Sequence, residues 1–256
     1  MDRAFRPKAL TRKDASGQIA RQLRSAIADG VWVPGERLPT ELDLADTFDV
    51  SRNTAREALK LLTATGLLTS VRGGVGGGTY VAVPDSDDIA ELLGDAIRLW
   101  FRAGDVTVHD VDEARRVLEE FSVAMAAQRH TDEDLEAIRR PVLASRDFEM
   151  DIEEWLGLDL EFHTAITRAA HNPILELAMT SVHLIRPVTN RVFVDRLDRR
   201  LVMEQHEGMY QAIATGDPAE AREAFATHIG YLDSVRREVL RDLNTDDVRI
   251  SDIAGA

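Results

Sequence analysis

The apolar positions change period twice along the chain. From residue 14 to residue 62 they recur every three or four residues: Ile19, Leu23, Ala26 and Ile27, then Leu44, Ala45 and Phe48, then Ala55, Ala58, Leu59 and Leu62. Each set falls on one face of a helix, which predicts helices over 14–29, 41–48 and 51–62. Gly30 is placed to stop the first, Thr40 to cap the second and Ser51 to cap the third. The stretch from Val31 to Pro39 is an extended and turning segment. Asp49-Val50 leaves room only for a tight turn, so the second and third helices form a helix-turn-helix. After Gly66 the period becomes two. Leu67–Arg72 and Thr79–Ala82 flank a glycine-rich tip, Gly73–Gly78, the pattern of a β-hairpin beside the third helix, a wing.

From Ile89 onward the period is helical again. It predicts helices over about 88–102, 110–128, 132–148, 151–170, 173–194, 196–215 and 218–242, with Leu118, Phe121, Val123 and Met125 as core residues of the second. Asp217 caps the last and Pro218 opens it. The expected fold is mostly α: an N-terminal winged helix-turn-helix (three helices plus a β-hairpin wing) and a C-terminal all-α antiparallel helical bundle. The expected organisation is a basic flexible arm (1–13), a winged helix-turn-helix domain (14–82), a linker (83–88), a helical domain (89–242) and a tail (243–256).

Charge sharpens this division. The 256-residue chain has a net charge of −14, yet residues 1–80 hold 12 lysines and arginines against 9 acidic residues, and all three lysines (Lys8, Lys13, Lys60) lie there. A mildly basic module for a polyanion is thus joined to an acidic one that stays off it. There is no cysteine, no signal-peptide pattern and no apolar run of membrane-spanning length, so a cytoplasmic location with no membrane partner is expected.

The third helix crowds Arg52, Asn53, Thr54 and Arg56 into its first turn and a half, opposite its apolar face. These donors suit phosphates and base edges, at the helix end that favours anions. An ordinary surface helix has the same two-faced pattern. The glycine-rich tip is not a nucleotide loop, because no Gly-Lys-Ser/Thr follows and it leads into a strand.

Pro34-Gly35-Glu36-Arg37-Leu38-Pro39-Thr40-Glu41, Leu44-Ala45, Val50-Ser51-Arg52-Asn53-Thr54, Arg56-Glu57-Ala58-Leu59, Gly66-Leu67 and the glycine wing together resemble the winged-helix domain of GntR-family bacterial transcription regulators, over about residues 15–82. The resemblance implies DNA contacts at Arg52 and Arg56, with Ser51, Asn53 and Thr54 on the same surface, Arg72 and Gly73 in the wing, and Arg37 at a phosphate. Leu42 stands where several family members carry a DNA-contacting arginine, and Asp49 replaces the usual glycine of the turn. Aspartate tolerates the left-handed conformation better than most residues.

In the second module Asp159 and His163 are four apart and share a helix face. His206 and His228 lie on later helices. Three histidines and a carboxylate suit a borderline divalent metal, zinc first, with nickel or manganese as alternatives. Hydrogen-bonded core histidines would read the same way. Asp159-Leu160-Glu161-Phe162-His163, Ala169-Ala170-His171-Asn172-Pro173, Glu204-Gln205-His206 and Ala221-Arg222 through His228 resemble the FCD-type effector domain of the FadR subgroup, over about residues 88–240. In that domain's metal-binding members the ligands fall on the positions of Asp159, His163, His206 and His228. Arg115 is a candidate guanidinium for an effector carboxylate, with an exposed Arg115–Glu119 pair as its alternative. Arg186 and Asn190 are further pocket candidates, and His183 is a substitute metal ligand. His109, His130 and His171 fall at helix boundaries.

The expectation is a transcription regulator, a repressor and not an enzyme. It would bind a palindromic double-stranded DNA operator as a homodimer and respond to a small organic acid at the metal-containing bundle. One alternative keeps the metal structural and places a larger effector elsewhere in the bundle. A remote alternative is a metal-dependent hydrolase. Against it, no His-Glu-x-x-His motif is present, and Glu161 and Glu204, two residues from ligands, point away from them.

Overall fold

The computed structural model describes residues 5–11, 13–73, 76–83, 85–190 and 193–239. The expected tail (243–256), the end of the last expected helix and parts of the arm, wing tip and linker lie outside them. The chain divides into two compact units, Met1–Asp85 and Ser86–Ala256.

The first unit holds α1 (Ala15–Ala28), α2 (Glu41–Phe48), α3 (Arg52–Thr63), β1 (Leu68–Val71) and β2 (Gly78–Val81). Local chemistry sets its turns. Asp14 caps α1 by accepting from Gly17 N–H, Thr40 and Asp43 form a capping box on α2, and Ser51 accepts from Thr54 N–H at the start of α3. Asp49 adopts φ 51° between α2 and α3, the left-handed conformation the turn requires. Ile19, Leu23, Leu44, Phe48, Ala55, Ala58, Leu59 and Leu62 close over Leu68 and Val81 of the antiparallel hairpin. The 35–38 segment pairs with β2, Leu38 N–H donating to Thr79 O and Val81 N–H to Glu36 O. A Cβ on Gly78 would come within 2.5 Å of Arg37 Nε, so only glycine lets Arg37 lie across the wing.

Residues 5–11 lie against this unit, which differs from the expected mobile arm. The Phe5 ring sits 5.1 Å from Trp32 and 5.8 Å from Phe48, and Lys8 N–H donates to Gln22.

The second unit holds α4 (Ser86–Ala103), α5 (Val108–Arg129), α6 (Asp132–Ala144), α7 (Ile152–Ala169), α8 (Pro173–His183), α9 (Arg186–Asn190), a 3-10 turn (Val194–Arg196), α10 (Arg199–Ala214) and α11 (Pro218–Val239). α5 packs against α7, α8, α10 and α11 and so runs through the middle of the bundle. Thr107–Asp110 and Thr131–Asp134 capping boxes start α5 and α6; Asn172, Asp198 and Asp217 cap α8, α10 and α11. The main core gathers Val123, Ala126, Ile138, Trp155, Phe162, Ile166, Met209, Ile213, Phe225 and Ile229.

Two expectations are corrected here. The single helix over 173–194 is interrupted: α8 ends at His183 and α9 starts at Arg186. Pro187 has no N–H for the His183 carbonyl, and its ring crowds that carbonyl. Phe121 is 47% exposed while Val123 is buried. Residues two apart on a helix are about 200° apart, so both cannot face the same core. Among the described residues, no helix is long and apolar enough to cross a membrane.

Candidate DNA-binding face and metal centre

In the first unit Ser51, Arg52 and Asn53 are exposed, and Thr54 and Arg56 are half-buried, at the start of α3. The cap on Ser51 fixes that first turn, and the buried Ala55, Ala58 and Leu59 fix which face looks outward. Arg37 and Arg52 line one surface cleft with Glu41, Leu42, Gly78 and Thr79. Arg72 and Gly73 are exposed at the end of β1, and Gly73 adopts φ 80°. The structure adds a residue that sequence reasoning missed. Glu41 of α2 accepts from Arg52 Nε at 3.1 Å and from Arg56 Nε and Nη2 at 3.0 Å. The pairing lowers the Glu41 carboxyl below its ordinary value, the Arg56 hydrogen bond first. Leu42 is 57% exposed beside them.

In the second unit the three expected histidine ligands come together, and Asp159 lies beside two of them. α7 carries Asp159 and His163 on its inner face, α10 carries His206, and α11 carries His228; all four are buried. The three histidines offer ring nitrogens within 4.8 Å of one another. Asp159 Oδ1 lies 3.8 Å from His163 Nε2 and 3.6 Å from His206 Nε2. None of the three Nε2 atoms has a hydrogen-bond partner, although each is fully buried. Buried polar atoms are nearly always paired, and three orphaned imidazole nitrogens converging beside a carboxylate fit a divalent cation. The alternative of hydrogen-bonded core histidines leaves them unexplained.

Burial drives the His163 and His228 rings well below the ordinary histidine value and His206 down to about 4. All three are therefore neutral near pH 7, the form that ligates metal. Outer contacts hold the rings. His228 Nδ1 meets Gln205 Oε1 at 3.1 Å, and His206 stacks on Phe162 with ring centroids 4.2 Å apart. His183, the substitute ligand, is not part of the trio; its Nε2 turns to Glu119 Oε1 at 3.5 Å.

The three effector candidates lie on one side of Asp159. Arg115, Arg186 and Asn190 line a narrow pocket with Trp155, Phe193 and Val202, its interior volume about 10 Å³, room for a single water-sized molecule. Arg186 Nη2 donates to Asp159 Oδ2 at 2.7 Å, so this carboxylate faces the histidines with one oxygen and the pocket with the other. Arg115 pairs with Glu119 as the sequence spacing allows, but the pair is buried, not exposed: each residue is 2% accessible. Burial is the largest single influence on Glu119 and raises its carboxyl, yet Arg115 and the other cations around it hold it well below the ordinary range. Arg236 stacks 5.0 Å over Phe193 and pairs with Asp112 at 2.6 Å, which braces the pocket wall. The sequence marked Glu119 only as a partner for Arg115, and it marked neither Gln205 nor Arg236. Glu161 is engaged by Arg140 and Glu204 is exposed, so neither acts as a base at the histidine cluster.

A winged helix with a cationic α3, followed in the chain by a helical unit that buries a histidine cluster, is the architecture of a DNA-binding regulator. Residues 15–81 match the model "Bacterial regulatory proteins, gntR family", and residues 110–231 match the "FCD domain". The chain is 31% identical over 215 residues to the HTH-type transcriptional regulator LutR of Bacillus subtilis (strain 168), covering 82% of this chain and 95% of that one. It is 29% identical to the HTH-type transcriptional repressor NanR of Cronobacter sakazakii (strain ATCC BAA-894), covering 89% and 87% respectively. Among solved structures, Streptococcus agalactiae GntR aligns with a TM-score of 0.48 at 26% identity, covering 85% of this chain and 98% of that one. The chain belongs to the GntR family of transcriptional regulators and carries an FCD domain; it is a regulator, not an enzyme.

Proposed function

We propose that the protein is a repressor that binds a palindromic DNA operator as a homodimer and releases it when a small organic acid enters the metal-containing bundle. Asp159, His163, His206 and His228 would hold the metal, zinc first. When bound, the metal supplies a Lewis-acidic position for a carboxylate oxygen. Arg115 and Arg186 supply the remaining cationic surface, with Asn190 as a neutral donor. The observation that carries the reading is the gathering of three orphaned, buried histidine Nε2 atoms, two of them beside Asp159 Oδ1, while the other oxygen of Asp159 meets Arg186 at the pocket.

Charge supports the ligand class. Arg115 and Arg186 balance Glu119 and Asp159, so a dication would leave this buried site with two uncompensated positive charges. An anion offsets them where water cannot. The relative named as a transcriptional repressor supports the sign of regulation. On α3, Arg52 and Arg56, with Ser51, Asn53 and Thr54, would meet the operator's major groove, while Arg37, Arg72 and Gly73 would meet its backbone. Effector binding must favour one arrangement of the winged units over another, since a ligand shifts an equilibrium only by its difference in affinity for the two states.

A second reading rests on the pocket sizes. A groove of about 360 Å³ lined by Val117, Leu118, Phe121, Leu175, Glu120 and Arg222 is far roomier than the pocket beside Asp159. It would suit a larger effector, with the metal then purely structural. A thermal-shift screen of organic acids with and without chelator separates the two. The proposal expects acid-induced stabilisation that chelator abolishes; stabilisation that survives chelation supports the groove.

A further inference from the structure

We infer that Glu119 is a positioning residue of the metal centre, holding the His163 ring so that its Nε2 faces the cation. The inference rests on the metal reading above and concerns a residue outside the ligand set. Glu119 comes from α5, whereas the four ligands come from α7, α10 and α11.

Its Oε1 lies 3.3 Å from His163 Nδ1, 3.1 Å from Arg115 Nε and 3.5 Å from His183 Nε2. An imidazole that ligates through Nε2 carries its proton on Nδ1. In this structure Glu119 Oε1 is the carboxylate oxygen that faces that Nδ1, 3.3 Å away. A carboxylate in this place fixes the tautomer, aims the ring and makes the ligating nitrogen more basic. His228 has the same arrangement with a neutral acceptor, Gln205 Oε1.

A simpler role would be to neutralise Arg115. The geometry argues against that as the whole account. A carboxylate serving one arginine frequently takes the guanidinium fork with both oxygens. Here only Oε1 is used, and both Arg115 Nη2 and Glu119 Oε2 lack a hydrogen-bond partner. The carboxylate is turned so that a single oxygen serves Arg115, His163 and His183 together.

The test uses the full chain and metal alone. Zn²⁺ affinity is measured by competition with a chromophoric chelator, and the Co²⁺ d–d spectrum reports ligand geometry. Glu119→Leu, which has no acceptor for Nδ1–H, should weaken Zn²⁺ binding by about 10- to 100-fold and alter the Co²⁺ band, with the helical circular dichroism unchanged. The double variant Arg115→Met/Glu119→Leu removes both charges, so it leaves no unpaired ion if the single variant folds poorly. It should stay as weak as Glu119→Leu. Affinity within twofold of wild type in Glu119→Leu, or full recovery in the double variant, overturns the inference and leaves the metal site standing. A wild-type chain that takes up neither Zn²⁺ nor Co²⁺ overturns both.

Discussion

Replacing His228 with leucine separates the cost of an empty metal site from the gain of a filled one. His228 is fully buried, its Nδ1 meets Gln205, and its Nε2 has no partner. A buried polar atom without a partner costs about 1–3 kcal/mol. In chelator, His228→Leu removes that penalty and keeps most of the side-chain volume. It gives up one hydrogen bond, worth about 1 kcal/mol, to a half-buried glutamine. The net lies between zero and about 2 kcal/mol in favour of the variant, so the metal-free variant should melt no lower than wild type and up to about 8 °C higher, at roughly 2–4 °C per kcal/mol for a domain of this size. Metal reverses the comparison. At 100 times its dissociation constant, Zn²⁺ stabilises a one-site protein by about 2.7 kcal/mol, which is roughly 5–11 °C on the same scale. Wild type should show that shift and His228→Leu should lose most of it. Differential scanning fluorimetry with EDTA and with graded Zn²⁺ reads both effects. A variant that melts 10 °C low in EDTA and still shifts fully with Zn²⁺ would mean that His228 is a structural histidine, and the reasoning from orphaned nitrogens would fail.

Three more outcomes follow. Arg56→Ala should weaken operator binding at least tenfold and flatten its salt dependence, because it removes a cation from the DNA face; anisotropy titrations at 50 and 200 mM salt check this, and an unchanged slope would place Arg56 off the DNA. Metal-free protein should lose stability as pH falls from 6.5 toward 4. Burial keeps His163, His206 and His228 neutral in the fold (His206 down to about 4), while the unfolded chain takes up protons from about 6.5. The unfolded state then binds more protons, so each histidine costs up to about 1.4 kcal/mol per pH unit; a urea midpoint that is equal at pH 6.5 and 5.5 contradicts this. Arg115→Gln should reduce the thermal response to organic acids at least tenfold in ligand concentration while leaving operator affinity without ligand unchanged, and an undiminished response would remove Arg115 from the effector site.

What could be read from the chain was mostly local. Ser51, Thr40 and Asp217 cap helices within three residues of themselves, so a sequence window contains their whole interaction. Asp49 in the left-handed turn is local in the same sense. The Pro187 break was also local, and its signal was present: a proline inside a helical pattern. Phe121 and Val123 are both apolar, but two positions apart they lie on different faces of α5, and only Val123 reaches the core. Long-range pairs stayed hidden. Glu41 reaches Arg52 and Arg56 across the helix-turn-helix, and its sequence position shows only a first-turn acid on α2. Spacing puts Asp159 and His163 on one face, but only a resemblance links them to His206 and His228; the fold supplies the reason by setting α7, α10 and α11 all against α5. Glu119 looked like half of a surface ion pair because i,i+4 spacing carries no information on burial.

The most direct test of the central claim is one anisotropy titration. Zinc-loaded protein is titrated onto labelled DNA flanking its own gene, alone and with hydroxy monocarboxylates, dicarboxylates and sugar acids in turn. The account predicts tight binding without ligand, at least a tenfold loss with one class of acid, and no such loss once the metal has been removed. Operator affinity that is indifferent to every acid and to chelator would contradict it.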